Sequence, residues 1–252
     1  MNDRSKKIME ILEEKRKVRI EELCNYLCYS RSTVRRDLVA LEEMGLVSRR
    51  NGYVWYLTSS SSERDVRLRQ FENVEQKDYI AKLASEYIGD GMTVFMDAST
   101  TTRRMLPYMK DKRELVVLTN SIELGHDIVS GNYGNIELFI TGGYYRQNVG
   151  SVVGEETIDF VSRFRADICF ISCLSVQKEG FYEASVQQAY VKKKMMQNSL
   201  YSVVVADSSK FSCNYKYQLD TLDKADIFIT EKKPPEEFIK AAKEVGCEIR
   251  YK

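Results

Sequence analysis

The feature that most restricts the fold is a series of short, largely apolar runs in the second half of the chain. They occupy residues 92–96, 115–118, 137–140, 168–171, 202–206 and 227–229, with helix-patterned segments between them. A strand that is apolar on both faces must be covered on both faces, and a mainly parallel sheet flanked by helices does this. This half of the chain is therefore expected to be α/β.

Four of the runs end in small polar residues. Asp97-Ala98-Ser99-Thr100-Thr101-Thr102 follows the first, Thr119-Asn120-Ser121 the second and Thr141-Gly142-Gly143 the third, and Asp207-Ser208-Ser209-Lys210 comes later. Ligands of open α/β sheets bind outside the carboxyl ends of the strands. A hydroxyl-rich loop running into a helix offers both N–H and O–H donors to an oxyanion, so such loops suit a phosphate. The candidate effector contacts are Asp97, Ser99, Thr100, Thr101, Thr119, Asn120, Thr141, Gly142, Gly143 and Asp207. Lys192 or Lys210 would supply a cation for the phosphate, and Asp97, Asn120 and Asp207 would hydrogen-bond sugar hydroxyls. The same residue types also cap helices. What sets these loops apart is that one rim of one sheet would gather four of them.

The first 57 residues are different in kind. Ile8, Ile11 and Leu12 form a helical stripe over residues 5–15, residues 17–20 read as an extended link, and residues 21–27 as a second helix burying Leu23, Tyr26 and Leu27. In the third helix Val34, Leu38 and Leu41 recur at i, i+4 and i+7, so one face is apolar. Ser30 is a natural N-cap, and Gly45 a natural stop. Asn51-Gly52 between two extended runs signals a hairpin. Three helices and a hairpin make a winged helix-turn-helix whose third helix carries Ser30, Arg31, Ser32, Thr33, Arg35 and Arg36. Arginine forks match guanine edges or phosphates, and hydroxyls suit either. Most protein–DNA hydrogen bonds go to the backbone, so one of Arg35 and Arg36 reads as a phosphate clamp. Arg49 and Arg50 at the hairpin are further DNA-contact candidates.

Charge fits this division. Net charge is only +1, but residues 1–57 hold 12 Lys/Arg against 9 Asp/Glu while the remainder is slightly acidic. The six cysteines read as buried, reduced thiols. Cys24/Cys28 and Cys169/Cys173 are each four apart, yet with a single histidine, His126, the donors are too few for a tetrahedral zinc site. No metal and no cofactor is expected. No apolar run approaches the length of a membrane span, and the N-terminus leads into an amphipathic helix rather than a signal core. A cytoplasmic protein is expected.

The run from Ser30 to Leu38, followed by Leu41-Glu42-Glu43-Met44-Gly45-Leu46-Val47-Ser48-Arg49, resembles the N-terminal signature of the DeoR family of bacterial transcription regulators. The loops beginning at Asp97, Thr119, Thr141 and Asp207, with Arg69 and Lys77 ahead of them, resemble that family's C-terminal sensor motifs. The resemblance implies a sensor similar in fold to ribose-5-phosphate isomerase that binds a phosphorylated sugar or polyol, with effector binding usually relieving repression. The polar tract Thr58-Ser59-Ser60-Ser61-Ser62 and the charged stretch 63–76 after it read as a connection, which gives residues 1–57 as DNA-binding domain, 58–76 as linker and 77–252 as effector-sensing and oligomerisation domain. Three positions depart from the family pattern. Asn51-Gly52-Tyr53 replaces His-Gly-Gly in the wing. Ser99 stands where glycine is common, so its side chain either blocks backbone approach to a phosphate or donates one more bond. Gln188 stands where an acid is frequent.

The expected function is a DNA-binding regulator, a repressor of a carbohydrate operon acting on a double-stranded operator. Two alternatives stand beside it: a sugar-phosphate isomerase with a DNA-binding appendage, for which Asp97 or Glu183 would be the base, and a regulator that has lost its ligand. The chain is read as non-enzymatic. Helix-turn-helix modules commonly bind paired half-sites, so a homodimer or homotetramer is expected. Tyr144, Tyr145, Phe160 and Phe164 would line its interface or else belong to the core.

Overall fold

The computed structural model describes residues 3–43, 46–56 and 66–252. The chain divides into two compact units, residues 1–62 and 63–252. The expected helix stop at Gly45 and the polar tract 58–62 lie outside the described residues.

The first unit runs α1 (Asp3–Lys15), β1 (Lys17–Arg19), α2 (Ile20–Leu27), α3 (Arg31–Glu43), β2 (Val47–Arg50) and β3 (Tyr53–Tyr56), with sheet order β1-β3-β2. Its core is Ile8, Leu12, Val18, Leu23, Val34, Leu38, Leu41, Val47 and Val54, each almost fully excluded from solvent. The apolar stripe of α3 therefore faces inward as its spacing requires. Asn51 and Gly52 both have positive φ, +51° and +75°, the backbone of a type I′ turn, whose twist matches that of the paired strands. Cys28, also at positive φ (+54°), ends α2, and its N–H returns to Asn25 and Cys24 carbonyls. Tyr26 departs from expectation: it is 55% exposed and lies under Lys15, whose ammonium is 4.2 Å from the ring centroid. In so small a core a cavity is costly. Leu38→Ala should destabilise this unit by about 2–5 kcal/mol, read as a fall in its denaturation midpoint.

The second unit runs α4 (Val66–Arg69), α5 (Val74–Ser85), β4 (Thr93–Met96), α6 (Thr100–Arg103), β5 (Leu115–Thr119), α7 (Ile122–Ser130), β6 (Ile136–Ile140), β7 (Tyr144–Arg146), β8 (Ser151–Val153), α8 (Glu155–Ser162), β9 (Ala166–Ile171), β10 (Ser175–Gln177), β11 (Gly180–Glu183), α9 (Val186–Gln197), β12 (Ser199–Val205), β13 (Tyr217–Asp220), β14 (Ile227–Ile229), α10 (Glu236–Val245) and β15 (Glu248–Arg250). Seven strands form one sheet in the order β15-β14-β12-β9-β4-β5-β6, and every pairing in it is parallel. Apolar clusters lie on both faces, around Phe95, Phe181 and Phe228 on one and Ile80, Met96 and Phe170 on the other. The chain winds outward from β4 through β5 to β6, then returns to β9 on the other side of β4. The strand order therefore reverses between β4 and β9, the position at which open α/β sheets form their ligand crevice.

Several features were not anticipated. The sheet does not close at residues 227–229, because β15 adds a seventh strand. β10, β11 and β13 form a separate antiparallel sheet, and β7 and β8 a hairpin. The expected linker also divides: residues 66–76 are not a tether but are fastened to the sensor unit. Val66 N–H donates to Asn148 O at 2.8 Å, Asn73 Nδ2 to Asp207 Oδ1 at 3.0 Å, and Arg104 to Gln70 O at 3.0 Å. Phe160 and Phe164 pack at the core margin, whereas Tyr144 is 68% exposed and Tyr145 donates to Glu123 at 2.7 Å. Among the described residues no helix is long and apolar enough to cross a membrane.

Candidate functional sites

On the first unit the candidate nucleic-acid surface is the outward side of α3. Ser30 Oγ accepts from Thr33 N–H at 3.3 Å and lies 2.8 Å from Thr33 Oγ1 and 3.0 Å from Ser32 Oγ, so the three hydroxyls form one cluster over the helix start. Arg31, Ser32, Arg35 and Arg36 are exposed, and Arg31 is 3.5 Å from Glu21. The intervening acid of the motif, Asp37, turns inward, where Arg4 of α1 grips both its oxygens. The motif thus supplies its own anchor: an inward carboxylate fixes the helix that presents the outward arginines.

The two wing arginines separate. Arg49 closes on Glu42 of α3 through its backbone N–H (2.7 Å), Nε (2.8 Å) and a terminal nitrogen (2.6 Å). These bonds hold the Glu42 carboxyl below the usual carboxylate range. Arg49 is therefore a brace between wing and helix rather than a free DNA contact. Strand alternation gives the reason: Val47 and Arg49 share one face of β2, and Arg50 takes the exposed one.

On the second unit a narrow cleft opens at the rim of the switch point. It is lined by Arg69, Ala98, Ser99, Asn120, Ser151, Gln188 and Lys192. Asn120 is buried, and its Nδ2 donates to Val152 O at 2.9 Å. A carbonyl only accepts, so the amide's orientation is fixed and Oδ1 is left as a buried acceptor without a partner. Ser151 Oγ is likewise buried and unpaired. Buried polar atoms are nearly always satisfied; two of the exceptions line this one cleft.

Ser99 does not block the loop. Its φ of −83° is ordinary, and its hydroxyl turns back to cap α6, accepting from Thr102 N–H at 3.1 Å. Asp97 is not available to sugar hydroxyls. Its Oδ1 accepts from Ser99 N–H (3.1 Å) and Thr102 Oγ1 (2.9 Å), and its Oδ2 from Ser172 N–H (3.0 Å). Lys192 is equally committed: its ammonium meets Glu183 at 2.5 Å, Ser172 O at 2.8 Å and Asp97 at 3.1 Å. An ammonium has three protons, and these partners use them, so Lys192 holds the cleft floor together.

The other expected contacts do not converge on the cleft. Thr100 faces a separate groove beside Arg103 and Arg104. Thr101 is buried in the first turn of α6. Thr119 Oγ1 accepts from Ser121 N–H at 3.0 Å, a local turn bond. Thr141, Gly142 and Gly143 form the exit from β6 and pack against α8, where Thr157 donates to Gly142 O at 2.8 Å. Gly143 has φ +134°, and a Cβ there would lie 2.3 Å from Thr157 Oγ1, so this glycine serves a turn and a close approach. Asp207 caps the short helix after β12 and binds Asn73, with Lys210 3.9 Å away. Sequence reasoning missed Arg69 and Ser151 as lining groups. Arg69 was visible in the resemblance, but nothing local to it indicated that it is buried against Val149 O, 3.3 Å away.

Beneath Arg69, Lys77 is almost fully buried and donates to Arg69 O at 2.5 Å. Burial lowers its ammonium to about 8, with Asp207 opposing and Lys210 and Arg69 reinforcing the fall. The unfolded chain keeps this proton to about 10.4. Between these values the unfolded state binds more protons, so stability rises as pH climbs from about 8 toward 10; below 8 the full cost, roughly 3 kcal/mol, is present. Denaturation midpoints of the natural chain and Lys77→Met should therefore diverge in favour of the natural chain over that window. A constant difference would show that the lysine is not depressed.

Among the described residues no cluster of metal-ligating side chains occurs. All six cysteines are free, but Cys28 is exposed and Cys24 and Cys213 are half-buried, so only Cys169, Cys173 and Cys247 match the expectation of buried thiols. Burial pushes Cys169 up to about 11 and Cys247 to about 12, which keeps them protonated and inert.

Comparison with known proteins covers both units. Residues 4–60 match the DeoR-like helix-turn-helix domain and residues 72–232 the DeoR C terminal sensor domain. The chain is 30% identical over 242 residues to the HTH-type transcriptional repressor GlcR of Bacillus subtilis, covering 96% of this chain and 93% of that one. It is 28% identical to the glycerol-3-phosphate regulon repressor of Escherichia coli, covering 90% of each. Among solved structures, ribose 5-phosphate isomerase A from Methanocaldococcus jannaschii is similar over 55% of each chain, so the match spans about half of that structure's length, with a TM-score of 0.39 and 17% identity.

Proposed function

Because the chain belongs to the DeoR family of helix-turn-helix regulators, we propose that it represses a carbohydrate-metabolism operon and releases it on binding a phosphorylated sugar or polyol. The observation that carries this reading is the cleft at the β4/β9 switch point. One unpaired acceptor, Asn120 Oδ1, one unpaired hydroxyl, Ser151 Oγ, and the Arg69 guanidinium converge there. An acceptor and a hydroxyl suit a polyol, and a guanidinium suits a phosphate. DNA contact is assigned to Ser30, Arg31, Ser32, Thr33, Arg35, Arg36 and Arg50. The active form is a homodimer or homotetramer in the cytoplasm.

Arg69 also ties the cleft to α4. It ends α4, the first described element after the junction, and it both lines the cleft and bonds Val149. A ligand that draws the guanidinium away from Val149 shifts the segment through which the sensor is covalently joined to residues 1–56. This gives the ligand the differential contact that any population shift requires.

The test is a titration of the chain against the DNA upstream of its own gene, with and without a panel of sugar and polyol phosphates. Loss of binding with one compound identifies the effector. Asn120→Ala should then leave DNA affinity unchanged and raise the effector concentration needed for release by about tenfold, the worth of one lost buried hydrogen bond to a ligand. An unaltered response would place the ligand elsewhere. The isomerase alternative needs a base within reach of substrate, and both Asp97 oxygens are already taken by protein donors. Turnover of pentose or hexose phosphates would nevertheless establish it.

A further inference from the structure

The outer face of the wing sheet carries a cationic, aromatic surface that the recognition helix does not account for. Val18, Val47 and Val54 point into the core. Alternation therefore turns Lys17 and Arg19 of β1, Ser48 and Arg50 of β2, and Tyr53 and Trp55 of β3 to the other side. Strand register sets these in two rows, Lys17–Trp55–Ser48 and Arg19–Tyr53–Arg50. The Lys17 ammonium lies 4.3 Å from the Tyr53 ring centroid and 4.1 Å from that of Trp55. Arg19 Nε donates to Tyr53 Oη at 2.7 Å, and its guanidinium is 5.1 Å from the ring centroid. Lys17, Arg19 and Arg50 are all exposed, so the rings position the cations without neutralising them. The face holds three cations and no carboxylate. The nearby acids, Glu21 and Glu22, stand at the start of α2, and Glu21 is paired with Arg31. The same region ties the face to the recognition helix: Ile20 N–H of α2 donates to Gly52 O in the wing turn at 3.0 Å, and Glu21 next to it meets the first residue of α3.

We propose that this face is a second contact with the DNA backbone, in which Lys17, Arg19 and Arg50 each neutralise a phosphate of the duplex beside the groove entered by α3. The proposal rests on the DNA-binding reading and extends it to a strand, β1, that lies outside both the helix-turn-helix and the hairpin. Charge complementarity selects the partner: an aromatic-backed triple cation suits a polyanion. Arg19 and Arg50 are two strand spacings apart, roughly 9–10 Å, so they meet separate phosphates.

The chain has a single tryptophan, Trp55, and its emission therefore reports on this face alone. The experiment titrates the full chain with a duplex of arbitrary sequence, three helical turns long, over a series of salt concentrations. Binding is followed by anisotropy of a dye on the DNA and, separately, by Trp55 emission. The natural chain should bind with a change in emission. The triple variant Lys17→Gln, Arg19→Gln, Arg50→Gln should reduce the slope of log affinity against log salt by roughly 2–3, since each lost phosphate contact is worth about 0.9. Arg19→Lys, which keeps the charge, should retain the slope, and so should Lys240→Gln, which removes from the sensor unit the same single charge that Lys17→Gln removes from this face. Should the triple variant fold poorly, Lys17→Gln alone should still lower the slope by about 0.9. An unchanged slope in these variants, with Arg35→Ala still weakening binding, would overturn the proposal and leave the recognition helix standing. A reduced slope without any Trp55 response to DNA would also overturn it, because the charges would then act at a distance. A natural chain that binds no duplex at low salt would remove the DNA-binding reading itself.

Discussion

Lys192→Met should destabilise the sensor unit by about 3–5 kcal/mol, the cost of breaking a buried ion pair from one side. Lys192, Asp97 and Glu183 form one buried cluster in which the two carboxylates have no solvent exposure at all. Removing the ammonium leaves two negative charges in a low-dielectric interior, and it also strips the Ser172 carbonyl of its donor. Loss of stability should exceed any loss of effector response, and chemical denaturation of the two proteins measures it directly. Were Lys192 instead a phosphate ligand held in reserve, the variant would keep its denaturation midpoint and lose only its response to effector. The two readings of this residue therefore give opposite results in one pair of measurements.

Arg35→Ala should weaken operator binding by about 1–3 kcal/mol, roughly fivefold to 150-fold, if the side chain reads a base edge. Arg35 lies on the exposed side of α3, so the thermal transition should stay where it is. Salt dependence distinguishes the two arginines: the one that clamps a phosphate lowers the salt slope when removed, and the one that reads a base relaxes sequence preference instead. Arg49→Ala should behave differently from either. Its partner Glu42 would lose two side-chain hydrogen bonds and keep only the one from the backbone N–H, the wing would loosen against α3, and stability would fall along with affinity. Unchanged affinity for Arg35→Ala at moderate salt would move the recognition surface off this helix.

The DNA-binding unit was legible almost residue by residue because its signals are local. Val34, Leu38 and Leu41 share a face through helical geometry, and Ser30 caps its own helix. Asn51-Gly52 specifies its turn through backbone conformations that few other pairs adopt. The burial of Tyr26 was misread and the pairing of Arg49 not foreseen, because each is set by a partner on another element, Lys15 and Glu42. The sensor sheet was also legible, since strands buried on both faces must be apolar throughout. β7, β8, β10, β11 and β15, of three or four residues each, were not: so few residues give periodicity nothing to act on, and these strands form because a neighbour offers them an edge.

The candidate cleft divides along the same line. That polar groups gather at the strand ends followed from the run of polar loops, and Ser99, Asn120 and Lys192 line one cleft there. Which polar groups remain free to bind is a different question. Asp97 and Lys192 are residue types a phosphosugar site needs, and both are consumed by protein partners, while Asp207 spends Oδ1 on Asn73 and keeps a buried Oδ2 without a hydrogen bond. Asn120 and Ser151 each keep an unpaired atom only because no buried neighbour reaches it. Local sequence thus carries the elements, their buried faces and the rim of the sheet, since backbone geometry and side-chain period act over a few residues. The satisfaction of each buried donor and acceptor depends on groups tens of residues away in the chain, and only packing brings those together.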